Sequence, residues 1–185
     1  MHTRLIPIAF LFTFTICTTS TRESALAQSP QQPVATMKME HPAIKPGSAN
    51  KLKITYGEKS AEYTTQDLAL LEHQAIDVVN GHTKAKEHYA GVRLSTLLTR
   101  LGVPDKPHGK DFRLYIVAEG ADGYQVVYSL GEVSPDVHDG TVIVADSLGN
   151  EDLTETGPFQ LVATGETRPA RWVRNLVSIR VLTAQ

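Results

Sequence analysis

The chain has 185 residues, 41% apolar and 21% charged, with 18 basic against 20 acidic side chains and a formal net charge of −2. That is about one domain's worth of protein, too apolar for wholesale disorder, and it excludes a multidomain machine. The charge balance supplies no drive toward nucleic acid or an anionic membrane, and no uninterrupted apolar run reaches the roughly 18 residues that signal a span.

Arg4 precedes a mostly apolar stretch from Leu5 to Cys17 that is too short to cross a bilayer, and Ala25-Leu26-Ala27 has the small-x-small form of a cleavage site. Residues 1–27 therefore read as a secretory signal peptide, and a periplasmic or secreted mature protein is expected. A lipidated Cys17 is the rival reading; bulky Ile16, where a lipoprotein signal carries a small residue, speaks against it. Cys17 is the single cysteine, so the mature chain offers no thiol, disulfide or cysteine metal ligand. The signal also lacks paired arginines, which indicates export of an unfolded chain and argues against an internal cofactor loaded beforehand. Residues 28–50 hold Pro30, Pro33, Pro42 and Pro46 without sustained periodicity and read as a flexible linker, leaving 51–185 as the folded body.

Leu52, Ile54 and Tyr56 alternate with polar residues before Gly57, and Glu62-Tyr63-Thr64 resumes after a turn, which predicts a hairpin. Thr64-x-x-Asp67 has the form of a capping box for a short helix through Leu68, Leu70 and Leu71, and residues 75–80 (AIDVVN) predict a strand. Gly91-Val92 is read as a turn into a helix carrying Leu94, Leu97, Leu98 and Leu101, closed by Gly102 and Pro104. Alternation of Phe112, Leu114, Ile116 and Ala118 with Arg113, Tyr115, Val117 and Glu119 predicts a strand over 111–119. Ala121-Asp122-Gly123 then turns it into a second strand, Tyr124–Tyr128. Further strands are expected at 141–145, from Pro158 to Val162, and through Val177, Ile179 and Val181. Strands outnumber helices without alternating regularly with them, so the expected class is α+β with a mostly antiparallel or mixed sheet.

The sequence has no Gly-rich phosphate loop, His-Glu-x-x-His zinc helix or Gly-x-Ser-x-Gly nucleophile turn, which removes the common hydrolase and nucleotide signatures. His82 and His88 are either a metal-holding pair on one loop or solvated surface histidines, and their separation matches no closed zinc pattern. Met37-x-Met39-x-His41 offers thioethers and an imidazole suited to Cu(I), set against chance in a linker. Asp122-Gly123-Tyr124 reads as an ordinary hairpin turn with Tyr124 packing beside it, or as part of a site. In Arg171-Trp172-Val173-Arg174, two guanidinium groups flank the only Trp. They are either an anion-binding corner with a stacking face or surface arginines covering a half-buried indole.

Taken in order, Tyr89-x-Gly91-Val92-x-Leu94-x-x-Leu97-Leu98-x-x-x-Gly102-Val103, Ala121-Asp122-Gly123-Tyr124, Gly157-Pro158-Phe159-x-Leu161-Val162 and Arg171-Trp172-Val173-x-x-Leu176-x-x-Ile179 resemble the oxidoreductase molybdopterin-binding domain, the sulfite-oxidase fold. The resemblance covers roughly residues 51–183 and is strongest to short secreted single-domain members. It implies a strand-rich fold of mixed sheets with a few short helices, and a molybdopterin whose metal is held by one cysteine between the early strand and the helix. Here residues 78–90 contain no Cys, and Gln160 stands where catalytic members carry Arg, so molybdenum and sulfite oxidation are not expected even though molybdopterin itself remains possible by resemblance. Arg171 falls where the family has a basic residue beside an aromatic one.

The reading that follows is a periplasmic binding or accessory scaffold with a residual cofactor-type pocket of Tyr89, Arg93, Asp122, Tyr124, Arg171 and Arg174, no metal ligand, and a small anionic ligand or a periplasmic protein as partner. Two alternatives stay open: a molybdopterin oxidoreductase whose metal is held by His82, His88 or the pterin alone, and a copper-binding protein using Met37, Met39 and His41.

Overall fold

A computed structural model describes residues 50–81 and 83–185. The expected signal peptide, the linker up to residue 49 with Met37, Met39 and His41, and His82 lie outside the described residues.

The first elements stand where alternation and capping chemistry put them. β1 (Leu52–Tyr56) and β2 (Lys59–Tyr63) pair as an antiparallel hairpin. Thr64 Oγ1 accepts from the Asp67 N–H at 3.2 Å while Asp67 Oδ2 accepts from the Thr64 N–H at 2.8 Å, which satisfies two donors at the start of α1 (Thr65–Ala69). β3 (Gln74–Val79) buries Ile76 and Val78 on one face. α2 (Leu94–Arg100) buries Leu94, Leu97 and Leu98, the stripe expected from their spacing.

Farther along, β5 (Leu114–Gly120) and β6 (Gln125–Ser129) form the expected hairpin. β5 begins at Leu114 because 109–113 close a 3-10 turn whose cap is Asp111 on the His108 N–H, and this leaves Phe112 47% exposed instead of in the core. A short α3 (Leu130–Val133) follows β6 with a Ser129–Glu132 capping box. β7 (Val142–Leu148), β8 (Glu151–Asp152), β9 (Gln160–Ala163) and β10 (Leu176–Thr183) complete the order.

One sheet runs β2-β1-β10-β5-β6, with β1 and β10 parallel and the other pairs antiparallel. The other runs β3-β4-β7-β8, antiparallel throughout, with β9 also on β7; here β4 is Lys86–Arg93. Side chains from both sheets and α2 form one apolar core, including Leu52, Ile116, Ile179, Val92, Ile143 and Leu161. The fold is therefore α+β and strand-rich. Among the described residues no helix is long and apolar enough to cross a membrane.

Two irregularities correct the sequence reading. Gly91 does not turn the chain into a helix; it lies inside β4, and an added Cβ would meet Val144 O at 2.1 Å and Ala145 Cα at 2.5 Å. Glycine is needed there for the close approach of β4 to β7, beside a bulge between Ala90 and Gly91. In β10 a second irregularity, between Leu176 and Ser178, breaks the expected alternation: Leu176, Ile179 and Val181 are buried and Val177 is only partly so.

Candidate functional site

Residues 172–176 stitch the two sheets together, and the candidate site sits at that seam. Val173 and Leu161 exchange two backbone hydrogen bonds of 2.9 and 3.0 Å, tying the segment to β9, and Ala121 N–H donates to Asn175 O at 2.9 Å, tying it to the β5–β6 hairpin. Asn175 takes a left-handed φ of 47°, and Gly157 must be glycine beneath it: its φ is 84°, and a Cβ there would stand 2.2 Å from Asn175 Oδ1.

A cavity of about 300 Å³ opens beside this seam, lined by Asn80, Tyr89, Asp122, Tyr124, Gln160, Pro169, Trp172 and Arg174. Trp172 is buried, its Nε1–H donates to Ala163 O at 3.0 Å, and its ring meets Tyr89 edge-on with centroids 5.8 Å apart. Tyr89 Oη–H donates to Glu87 Oε2 at 3.0 Å, and the other oxygen of Glu87 accepts from Asn80 Nδ2 at 2.8 Å. Burial, reinforced by the Glu87 carboxylate, pushes the Tyr89 phenol up to about 12, so it is neutral at physiological pH. Gln160 is 2% exposed and its Oε1 makes no hydrogen bond among the described residues. The hairpin turn is fixed locally by Asp122 Oδ1, which accepts from the Tyr124 N–H at 3.0 Å, and Tyr124 Oη–H is bonded to Ala170 O. Arg174 is exposed and has no hydrogen bond or ion pair among the described residues.

Of the six residues expected around one pocket, the structure thus brings together Tyr89, Asp122, Tyr124 and Arg174. Arg93 is elsewhere. It is the last residue of β4, beyond the register shift whose extra residue, Asp146, belongs to β7, and its side chain turns to the β3 edge. Its guanidinium bonds to Gln74 Oε1 and to Thr141 Oγ1 at 3.5 Å. Arg171 is also elsewhere, held by Glu132 at 2.7 Å and by Glu166 through Nε at 2.9 Å, with its guanidinium carbon 4.6 Å from the Tyr128 ring centroid. The hydrogen bonds to Glu132 and Glu166 raise its pKa further above the ordinary arginine range. Tyr128 Oη–H anchors the same corner by donating to Arg171 O at 2.8 Å. His88 pairs across strands with Asp77, Nδ1 to Oδ1 2.7 Å, on an exposed face.

Glu87 and Asn80 carry no motif that marks them; the strand β4 is what places Glu87 and Tyr89 on one face, and Asn80 just past β3 reaches Glu87. Trp172, a stacking face by its chemistry, and Gln160, which stands where the resemblance implies Arg, both lie in the cavity wall.

Among solved structures, the chain is similar to the sulfane dehydrogenase SoxCD from Paracoccus pantotrophus, a sulfite-oxidase-family structure, at 25% identity and a TM-score of 0.55 over 71% of this chain. The chain spans only 37% of that protein's length. No family model matches, and no curated protein matches. The likeness supports a distant relationship and a sulfite-oxidase-like α+β fold. The residues present do not fit a thiolate-held metal. Residues 51–185 contain no Cys, the cavity wall carries amide and phenol groups with one carboxylate, Asp122, and one cation, Arg174, and no three His, Asp or Glu side chains among the described residues converge as a ligand set.

Proposed function

We propose that this is a secreted or periplasmic, non-catalytic binding or accessory protein on a molybdopterin-domain-like scaffold, and that it takes a small anionic ligand in the cavity beside Trp172. The observation that carries the reading is the state of Arg174. Arg93 and Arg171 are both spent on internal partners, whereas Arg174 opens unpaired on a cavity walled by the indole and by the buried amide of Gln160. A guanidinium supplies charge-assisted, bidentate bonds to an anion, Trp172 and Tyr89 supply apolar surface, and a donor on the ligand would satisfy Gln160 Oε1. Asp122, also in the cavity wall, discriminates against ligands that are anionic all round. The location rests on the signal-like residues 1–27, and the scaffold assignment on the four ordered motifs together with the structural likeness.

The only Trp lines the cavity and reports on it directly. Titrating the protein with sulfite, sulfate and small carboxylates while following Trp172 emission should give saturable binding for at least one of them. Arg174→Ala should weaken that binding by on the order of tenfold to a hundredfold, the worth of a charged hydrogen bond. Arg171→Ala should leave it unchanged, and an equal loss in both variants, or no saturation with any of these anions, sinks the assignment.

A further inference from the structure

The ring donors in the wall of the Trp172 cavity are already used inside the protein. Tyr89 Oη–H donates to Glu87, Tyr124 Oη–H to Ala170 O, and Trp172 Nε1–H to Ala163 O. What stays open to a ligand is the Arg174 guanidinium together with acceptors. Asp122 gives Oδ1 to the Tyr124 N–H at 3.0 Å and keeps Oδ2 without a partner, and Gln160 Oε1 makes no hydrogen bond among the described residues. Arg174 and Asp122 are also neighbours: a Cβ added at Gly120, the end of β5, would stand 2.7 Å from Arg174 O and 2.9 Å from Asp122 Oδ1. Their side chains nevertheless form no ion pair with each other, so both signs of charge line one cavity of about 300 Å³, at the small end of the roughly 300–1,000 Å³ of ligand pockets.

We propose that the ligand of this cavity is a small zwitterion, a carboxylate or sulfonate joined by a short linker to an ammonium, with the acid group on Arg174 and the ammonium on Asp122. The proposal rests on the reading of the cavity as an anion site and adds the second charge to it. A ligand that is only an anion answers Arg174 but brings negative charge toward the Asp122 carboxylate and supplies no donor to either acceptor. An ammonium carries three N–H donors and a positive charge, which suits a carboxylate and a neutral amide oxygen alike. Trp172 and Tyr89 offer apolar surface to the methylenes between the two charged ends. Asp122 and Arg174 are both exposed, so solvent screens part of each contact and the second charge adds a moderate gain.

The test compares each zwitterion with the anion in which a methyl replaces the ammonium: glycine with propionate, β-alanine with butyrate, γ-aminobutyrate with valerate, and taurine with 1-propanesulfonate. Each is titrated at neutral pH against the emission of Trp172. At least one zwitterion should bind roughly threefold or more tighter than its methyl counterpart, the worth of a charged contact at an exposed carboxylate. In Asp122→Asn, whose amide oxygen still accepts from the Tyr124 N–H, that gain should vanish while the methyl counterpart binds at least as tightly as before. Asp122→Ser, whose hydroxyl also accepts at such a turn, is the second variant should the first not fold. Anions that saturate and lose affinity in Arg174→Ala, with no gain from any ammonium, overturn the zwitterion and leave the anion site standing. No saturation in either series overturns both. A gain that survives the loss of the Asp122 charge places the ammonium elsewhere and overturns the proposal as well.

Discussion

Gly91→Ala is the substitution whose cost the structure states most directly. The added Cβ would sit 2.1 Å from Val144 O, 2.5 Å from Ala145 Cα and 2.7 Å from Val144 C, and all three atoms are backbone of β7. No side chain can swing aside, so β4 and β7 must separate by about 1 Å across a pairing whose strands normally lie roughly 4.8 Å apart. Overpacking of a core costs about 1–3 kcal/mol, and a clash against backbone belongs at the upper end. The lower chain entropy of unfolded alanine offsets roughly 0.5–1 kcal/mol. A net loss of about 2–2.5 kcal/mol follows, which lowers Tm by roughly 10 °C in a domain of this size. Thermal melts by circular dichroism, together with a urea midpoint measured at unchanged m, would read it. Because β4 also carries Tyr89, ligand binding beside Trp172 should weaken in step. The comparator is Gly57→Ala, where φ is 58° and nothing lies within 4 Å, so only backbone strain of about 1 kcal/mol applies. A Gly91→Ala melt within about 2 °C of wild type, or no lower than that of Gly57→Ala, would refute the account of the β4–β7 contact.

Trp172→Phe leaves Ala163 O without its indole donor in a buried place and should cost about 1–3 kcal/mol in denaturant titrations, while removing the chain's only Trp emission. Arg171→Ala leaves Glu132 and Glu166 facing each other unpaired; since the side chain is 40% exposed, solvent screening limits the loss to about 1 kcal/mol, and high salt should shrink the difference from wild type. On the acid side, Glu132 is partly buried, which opposes its charge, but the Arg171 and Ser129 hydrogen bonds win and hold its carboxyl below the ordinary 4.5; the Thr64 backbone and hydroxyl hold Asp67 below 3.8. Depressed carboxyl values add stability above those ordinary values and lose it as pH falls through the native ones. Urea midpoints should therefore decline below about pH 4.5, less steeply in Glu132→Gln, and an identical pH profile for that variant would remove Glu132 from the explanation.

Much of the architecture is written in local chemistry. The Thr64–Asp67 box, the Leu94-Leu97-Leu98 stripe and the hairpin at Asp122-Gly123 each depend on neighbours within a few residues, and each forms where the pattern places it. The Ser129-x-x-Glu132 box carries the same kind of local signal for α3. β4 has no such signal: its start is charged at Lys86 and Glu87, and its buried positions Tyr89, Gly91 and Val92 do not form a clean period of two.

Composition and short-range pattern determined the class of this protein, the absence of a thiol in the body, and the residue types available for binding, because those properties need no partner distant in the chain. Which arginine faces the cavity was decided only by the tertiary structure. Arg93, Arg171 and Arg174 are alike as sequence; Gln74 and Thr141 hold the first elsewhere, two carboxylates 5 and 39 residues distant claim the second, and the third is left beside Trp172. Hydrogen bonding and ion pairing between residues distant in the chain have no local signature.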